Sequence, residues 1–168
     1  MNRSQVIEQL PALRRYARAL LGHRVAADDL VQDTLERAWS RIGQWRPGTD
    51  LRAWLFSIMH NLHVDQARRS TPPTCPVDEA NDDLQTRPTQ TDGLELNDLE
   101  SALRQLPDEQ REVVLLVALE GMSYSDIATM LGIPSGTVMS RLARGRERLR
   151  QVMAGLAETP ASRLRVVK

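Results

Sequence analysis

Apolar residues recur along this chain at three- and four-residue steps, and neither half shows the period-two alternation of a strand. Ile7, Leu10, Leu13, Ala17, Leu20 and Leu21 form one stripe, which predicts a first helix over about 4–21. A second helix is expected over about 26–42, where Leu30, Val31, Thr34, Leu35, Ala38, Trp39 and Ile42 repeat with helical period. Asp28 and Asp29 are expected in its first turn, where the helix dipole favours negative charge, and its opposite face presents Asp29, Gln32, Asp33 and Glu36. Pro47-Gly48 then breaks the chain, and a third helix is predicted over about 50–69, carrying Leu51, Trp54, Leu55, Ile58, Met59 and Leu62 and ending in Arg68 and Arg69.

The C-terminal half repeats the helical pattern with stronger punctuation. Leu96, Leu99, Leu103 and Leu106 predict a helix over about 94–105. Pro107 starts the next one, with Asp108 and Glu109 in its first turn and Gly121 as its stop. Ser123 and Asp126 form a capping box before Ile127, Ala128 and Leu131, and Gly132 ends that short helix. The turn Ile133-Pro134-Ser135-Gly136 leads into a last helix to about Ala154. A small residue at Ala128, a glycine turn and an apolar Val138 at these spacings predict a helix-turn-helix. On its second helix Val138, Leu142, Gly145, Leu149 and Val152 share one face, whereas Thr137, Ser140, Arg141, Arg144 and Arg148 occupy the other. Such a row of donors suits a phosphate-rich groove, and the competing reading is a helical hairpin with a solvated arginine face.

Between the halves the pattern vanishes. Residues 71–94 are acidic and proline-rich, holding Pro72, Pro73, Pro76 and Pro88, and are expected to form a flexible tether. The chain therefore reads as all-α: two small helical domains, 1–70 and 95–168, joined by an acidic linker. Charge changes the picture at this point. The 168 residues have zero formal net charge, but residues 1–70 carry +4, residues 71–100 carry −7 and residues 101–168 carry +3. Two basic blocks flank an acidic one, so the neutral total does not exclude a nucleic-acid partner. No apolar run reaches the ~18 residues of a membrane span. One cysteine, Cys75, leaves no internal disulfide, and a cytoplasmic protein is expected.

Four of the six aromatic residues (Trp39, Trp45, Trp54 and Phe56) lie within residues 39–56. They are either the core of a small helical domain or, in part, platforms on which unpaired bases stack. His60, His63 and Asp65, with Cys75 further on, are the only grouping that suggests a metal. They lack the spacing of a known zinc motif, so no metal and no cofactor is expected. No glycine-rich phosphate loop, nucleophile elbow or acid pair in an apolar setting points to catalysis. A repressor or activator independent of polymerase could carry the same helix-turn-helix, but such proteins usually dimerise and no dimer seam is evident.

The segments ADDLVQDTLERAW (27–39), LRAWLFSIMHNLHVDQARR (51–69) and LPDEQREVVLLVALEGMSYSDIATMLGIPSGTVMSRLARGRERL (106–149) resemble bacterial sigma factors of the extracytoplasmic-function (ECF) group. The phrase WRPGTDLRAWLF further resembles their general-stress subgroup. The resemblance covers most of residues 5–155 and implies a chain that binds core RNA polymerase and directs it to promoters, under an anti-sigma factor. By the same resemblance Asp29, Gln32, Asp33 and Glu36 match the patch that docks on the polymerase clamp helices. Trp54, His60, Asn61, Arg68 and Arg69 match the segment that recognises and opens the minus-ten element. Thr137, Met139, Ser140, Arg141, Arg144 and Arg148 match the helix that reads the minus-thirty-five element. Met139 and Ala143 stand where many relatives have larger polar or aromatic groups.

Overall fold

The structure, a computed structural model, describes residues 3–46, 48–70 and 92–158. Seven α-helices run through them: α1 (Arg3–Leu21), α2 (Arg24–Ser40), α3 (Leu51–Ser70), α4 (Asp92–Arg104), α5 (Asp108–Ala118), α6 (Tyr124–Leu131) and α7 (Ser135–Glu158). A 3₁₀ turn at Ile42–Gln44 follows α2, and no strand occurs among the described residues. The fold is all-α, as the periodicity predicts. The acidic, proline-rich tether expected over 71–94 lies mostly outside the described residues, and α4 already occupies its last positions from Asp92.

In the N-terminal half, Leu13, Ala17 and Leu20 of α1, Leu30 and Ala38 of α2, and Leu55 and Met59 of α3 are withdrawn from solvent. Tyr16 and Phe56 meet edge to face at 5.1 Å inside this core. Thr34, on the apolar stripe of α2, is buried as expected and satisfies its hydroxyl by donating to the Leu30 carbonyl at 2.7 Å. The start of α2 differs from the sequence expectation. It begins two residues earlier, capped by His23, whose Nδ1 accepts from the Ala26 amide at 3.4 Å. Asp28 and Asp29 therefore lie beyond the first turn, and Asp28 instead faces Arg18 at 3.6 Å and Arg24 at 4.0 Å. Both pairs are exposed and contribute little to stability.

In the C-terminal half, α6 has eight residues, too few to be a stable helix alone. Three devices hold it. Ser123 caps its start by accepting from the Asp126 amide at 3.1 Å, and Ile127 is fully buried against its neighbours. Gly132 ends it in the left-handed region at φ 65°, with the Ile133 amide reaching back to the Ala128 carbonyl at 3.0 Å. Helix α7 then packs across α5 and α6 through Val138, Leu142 and Gly145. A Cβ on Gly145 would lie 2.8 Å from a Val114 methyl, so the missing side chain is what lets α7 approach α5.

The two halves do not stand apart. Helix α1 packs on α4 and α5, and α3 packs on α6, so the apolar cores merge into one contiguous cluster. The periodicity that marks the helices carries no sign of this docking.

Candidate nucleic-acid interface

The helix-turn-helix is formed by α6, the Gly132 turn and α7. On the outer face of α7, Arg144 and Arg148 are exposed, as is Met139 at 49%. Thr137 and Ser140 are half-buried, and the Ser140 hydroxyl donates to the Thr137 carbonyl at 3.0 Å. Arg141 differs from its neighbours. Its guanidinium is drawn to Glu109 of α5 at 2.6 Å and is largely covered. The face thus offers two extended arginines, an exposed thioether and one arginine already oriented by a carboxylate, which together can grip phosphates and touch base edges.

A second surface lies on α2. Asp29, Gln32, Asp33 and Glu36 are all exposed on one face, as their spacing predicts. Gln32 donates to Glu36 at 3.0 Å, and Asp33 accepts from Gln66 of α3 at 3.2 Å. Beside this acidic strip runs an apolar groove of about 320 Å³, lined by Val6, Ile7, Leu10, Leu35 and Trp39 with Glu36 at its edge. Trp39 is half exposed there. Of the aromatic cluster, Phe56 is core, Trp45 and Trp54 are half-buried, and Trp39 is the most open ring, on α2 rather than on α3.

The residues expected to meet the minus-ten element lie along α3. Asn61, Arg68 and Arg69 are exposed, the two arginines in the last turn where the helix dipole favours them. His60 is turned inward and its Nδ1 lies 2.6 Å from a carboxylate oxygen of Glu112. His63, one turn on, is held below its usual 6.5 first by burial, with Arg111 and His60 adding to the effect and Glu112 and Asp108 opposing it. These two histidines face a carboxylate-lined cleft of about 400 Å³ between α3 and the C-terminal half, which also receives Arg68 and Arg141. Among the described residues no group of three or more potential ligands is placed to hold a metal.

Sequence reasoning missed the residues that join the halves. Glu120 is buried and accepts from Arg15 at 2.9 Å and from Arg52. Glu112, also buried, accepts from the Tyr16 hydroxyl at 3.5 Å. Burial, with the negative charge of Glu112 beside it, pushes the Tyr16 phenol well above its usual value. Helical register gives no signal for both: Glu112 lies one turn before the fully buried Leu116 on α5, but Glu120 lies in the turn after that helix, and the partners of each are set by the tertiary fold.

Comparison with known proteins agrees with this geometry. The family model described as the Sigma2 domain of PhyR matches residues 6–60, and that of Sigma-70, region 4, matches residues 96–149. The ECF RNA polymerase sigma factor EcfG of Rhodopseudomonas palustris (strain TIE-1) is 39% identical over 151 residues, which is 88% of this chain and 82% of EcfG. The sigma factor RpoE of Bartonella quintana, solved with the anti-sigma factor NepR, superposes with a TM-score of 0.72 at 32% identity, covering 90% of this chain and 95% of RpoE. CnrH, solved with the cytosolic domain of CnrY, gives 0.67 at 29% identity, covering 90% and 86% of the two chains. By its two matched regions and its likeness to relatives across nearly their whole length, the chain belongs to the ECF RNA polymerase sigma factors.

Proposed function

We propose that this chain is the promoter-specificity subunit of an RNA polymerase, with residues 1–70 and 95–168 serving as its two working domains. The exposed acidic strip Asp29, Gln32, Asp33 and Glu36 docks on the clamp helices of the core enzyme. The outer face of α7 lies in the major groove of the minus-thirty-five element. There Arg144 and Arg148 are the long-reach donors and Thr137, Met139, Ser140 and Arg141 line the contact. Along α3, Arg68 and Arg69 track the backbone of the minus-ten element while the exposed Asn61 meets its bases. Trp54 and His60, both half-buried here and His60 held by Glu112, join it only where the bound state uncovers them. The chain supplies positioning, and bond formation belongs to the polymerase.

The observation that carries this reading is the helix-turn-helix with exposed arginines on one side of α7, in the same chain as an acidic helix face that no duplex would attract. Regulation is read from the relatives. RpoE was solved with NepR and CnrH with CnrY, and an anti-sigma factor is the corresponding partner here. The resemblance of the WRPGTDLRAWLF phrase to the general-stress subgroup supports a role in a stress response. No helix among the described residues is long and apolar enough to cross a membrane.

Transcription in vitro tests the proposal. Core polymerase with the purified chain should initiate on a genomic library at sites sharing a two-part upstream motif. Initiation that is equal with and without the chain refutes it.

A further inference from the structure

The outer face of α7 carries a single sulfur, that of Met139. Among the described residues Met59 is fully buried, and Met122 and Met130 pack partly buried against the core. Met153 is half-buried, so Met139 is the one exposed methionine of these five. Its helix neighbours explain the exposure. Side chains three and four positions apart lie beside one another on a helix, and for Met139 these are Ser135, Gly136, Leu142 and Ala143. Leu142 is turned into the core, and the other three are small and exposed. A Cβ added at Gly136 would meet nothing within 4 Å, so the space on that side is open. The long, unbranched side chain thus stands clear of its surroundings, on the face that carries Arg144 and Arg148.

A thioether in that position suits the major groove, where apolar side chains pack on thymine methyl groups. Oxidation reverses its character, because a sulfoxide is polar and chiral. Pressed against a base pair, the added oxygen is a desolvated acceptor, which costs free energy unless a donor meets it. Exposure is also what makes a methionine susceptible, so the sulfur most open to oxidants is the one on the DNA-reading surface.

We propose that Met139 is a site of reversible oxidation by hydroperoxides, and that its sulfoxide weakens the hold of α7 on the minus-thirty-five element. The proposal rests on the DNA-reading role of α7 and adds a chemical control over it. A sulfur lone pair attacks one oxygen of hydrogen peroxide, the S–O bond forms and the O–O bond breaks. The departing hydroxide takes the remaining peroxide proton and leaves as water. Sulfur loses two electrons and the peroxide gains them. Methionine sulfoxide reductases, one for each sulfoxide epimer, reverse the change.

The test treats the full-length chain with limiting hydrogen peroxide and follows each methionine by peptide mass spectrometry. Met139 should oxidise fastest of the five described methionines. Holoenzyme assembled with the oxidised chain should bind a promoter recovered from the transcription library at least about fivefold more weakly than with the reduced chain, the low end of what one lost base contact costs. Treatment with both classes of reductase should restore the affinity. Met139→Leu keeps Cys75 and the other methionines, so its oxidised and reduced forms, compared with each other, should bind alike. Earlier oxidation of another described methionine overturns the site. Equal affinity of the oxidised and reduced parent, or an equal loss in Met139→Leu, overturns its effect on DNA. Failure of the reduced chain to direct transcription overturns the sigma-factor reading and the effect on DNA with it, while the mass-spectrometric order judges the site separately.

Discussion

Helix α7 contains an internal control for how closely the DNA-reading helix is packed. Gly145 and Gly155 are both helical glycines in α7, and replacing either with alanine gains helix propensity, up to about 1 kcal/mol in a helix interior. Around Gly155 a new Cβ meets nothing within 4 Å, so Gly155→Ala should leave stability equal or raised by up to that amount. At Gly145 the new Cβ meets a Val114 methyl at 2.8 Å and the Gln110 carbonyl at 3.3 Å. Val114 is buried and stiff at χ1, and the carbonyl belongs to the α5 backbone, so neither can swing away. Overpacking of this kind costs about 1–3 kcal/mol. Gly145→Ala should therefore be less stable than Gly155→Ala by about that amount, a gap of roughly 2–12 °C in melting temperature for a chain of this size. Urea and thermal unfolding followed by far-UV circular dichroism measure it. Equal stabilities, or a more stable Gly145→Ala, would refute the claim that α5 and α7 touch through this glycine.

Three further outcomes are expected. Asp29→Arg combined with Asp33→Arg should abolish capture of core polymerase while helicity is kept, since both side chains are exposed; undiminished pull-down would remove α2 from the docking surface. Arg144→Ala should cost about 1–3 kcal/mol at one base pair of the upstream element, seen by binding of holoenzyme to single-site promoter variants. A uniform loss over all variants would instead mark Arg144 as a phosphate contact. The lowered pKa of His63 means that the unfolded chain takes up this proton at higher pH than the folded one. Its contribution to stability is complete above about 6.5 and is lost as the pH falls through the lowered value. The urea midpoint should thus drop between about pH 7 and pH 5, less steeply in His63→Gln, and identical slopes would refute the burial argument.

What the sequence made legible was local. The capping box Ser123–Asp126, the stop at Gly132 and the buried Val138 are contacts within a few residues, and each appears where its spacing predicts. The acidic face of α2 was equally readable, because a helix of known phase dictates which residues share a side. The start of α2 was misplaced because a histidine supplied the cap, a residue outside the usual set of small oxygen-bearing ones. The docking of the halves was invisible for a different reason. Glu112 and Glu120 look like ordinary surface acids, and their partners Tyr16, Arg15, Arg52 and His60 are brought to them only by the tertiary fold. Arg141 is grouped by its spacing with the exposed Arg144 and Arg148, but it is largely covered, because its tie to Glu109 depends on how α7 crosses α5.

The tryptophans have a spectroscopic consequence. All three, Trp39, Trp45 and Trp54, belong to the N-terminal half, so the helix-turn-helix carries no indole and contributes nothing to the tryptophan emission. Trp39 is half exposed beside the acidic strip, whereas Trp45 and Trp54 are more shielded. Emission from the native chain is therefore a mixture in which one fluorophore, accessible to aqueous quenchers, watches the α1–α2 groove. A ligand that covers the groove would move that component to shorter wavelength without any attached dye, and binding confined to the outer face of α7 would not. The chain thus comes with a built-in tryptophan label for one of its two working surfaces and none for the other.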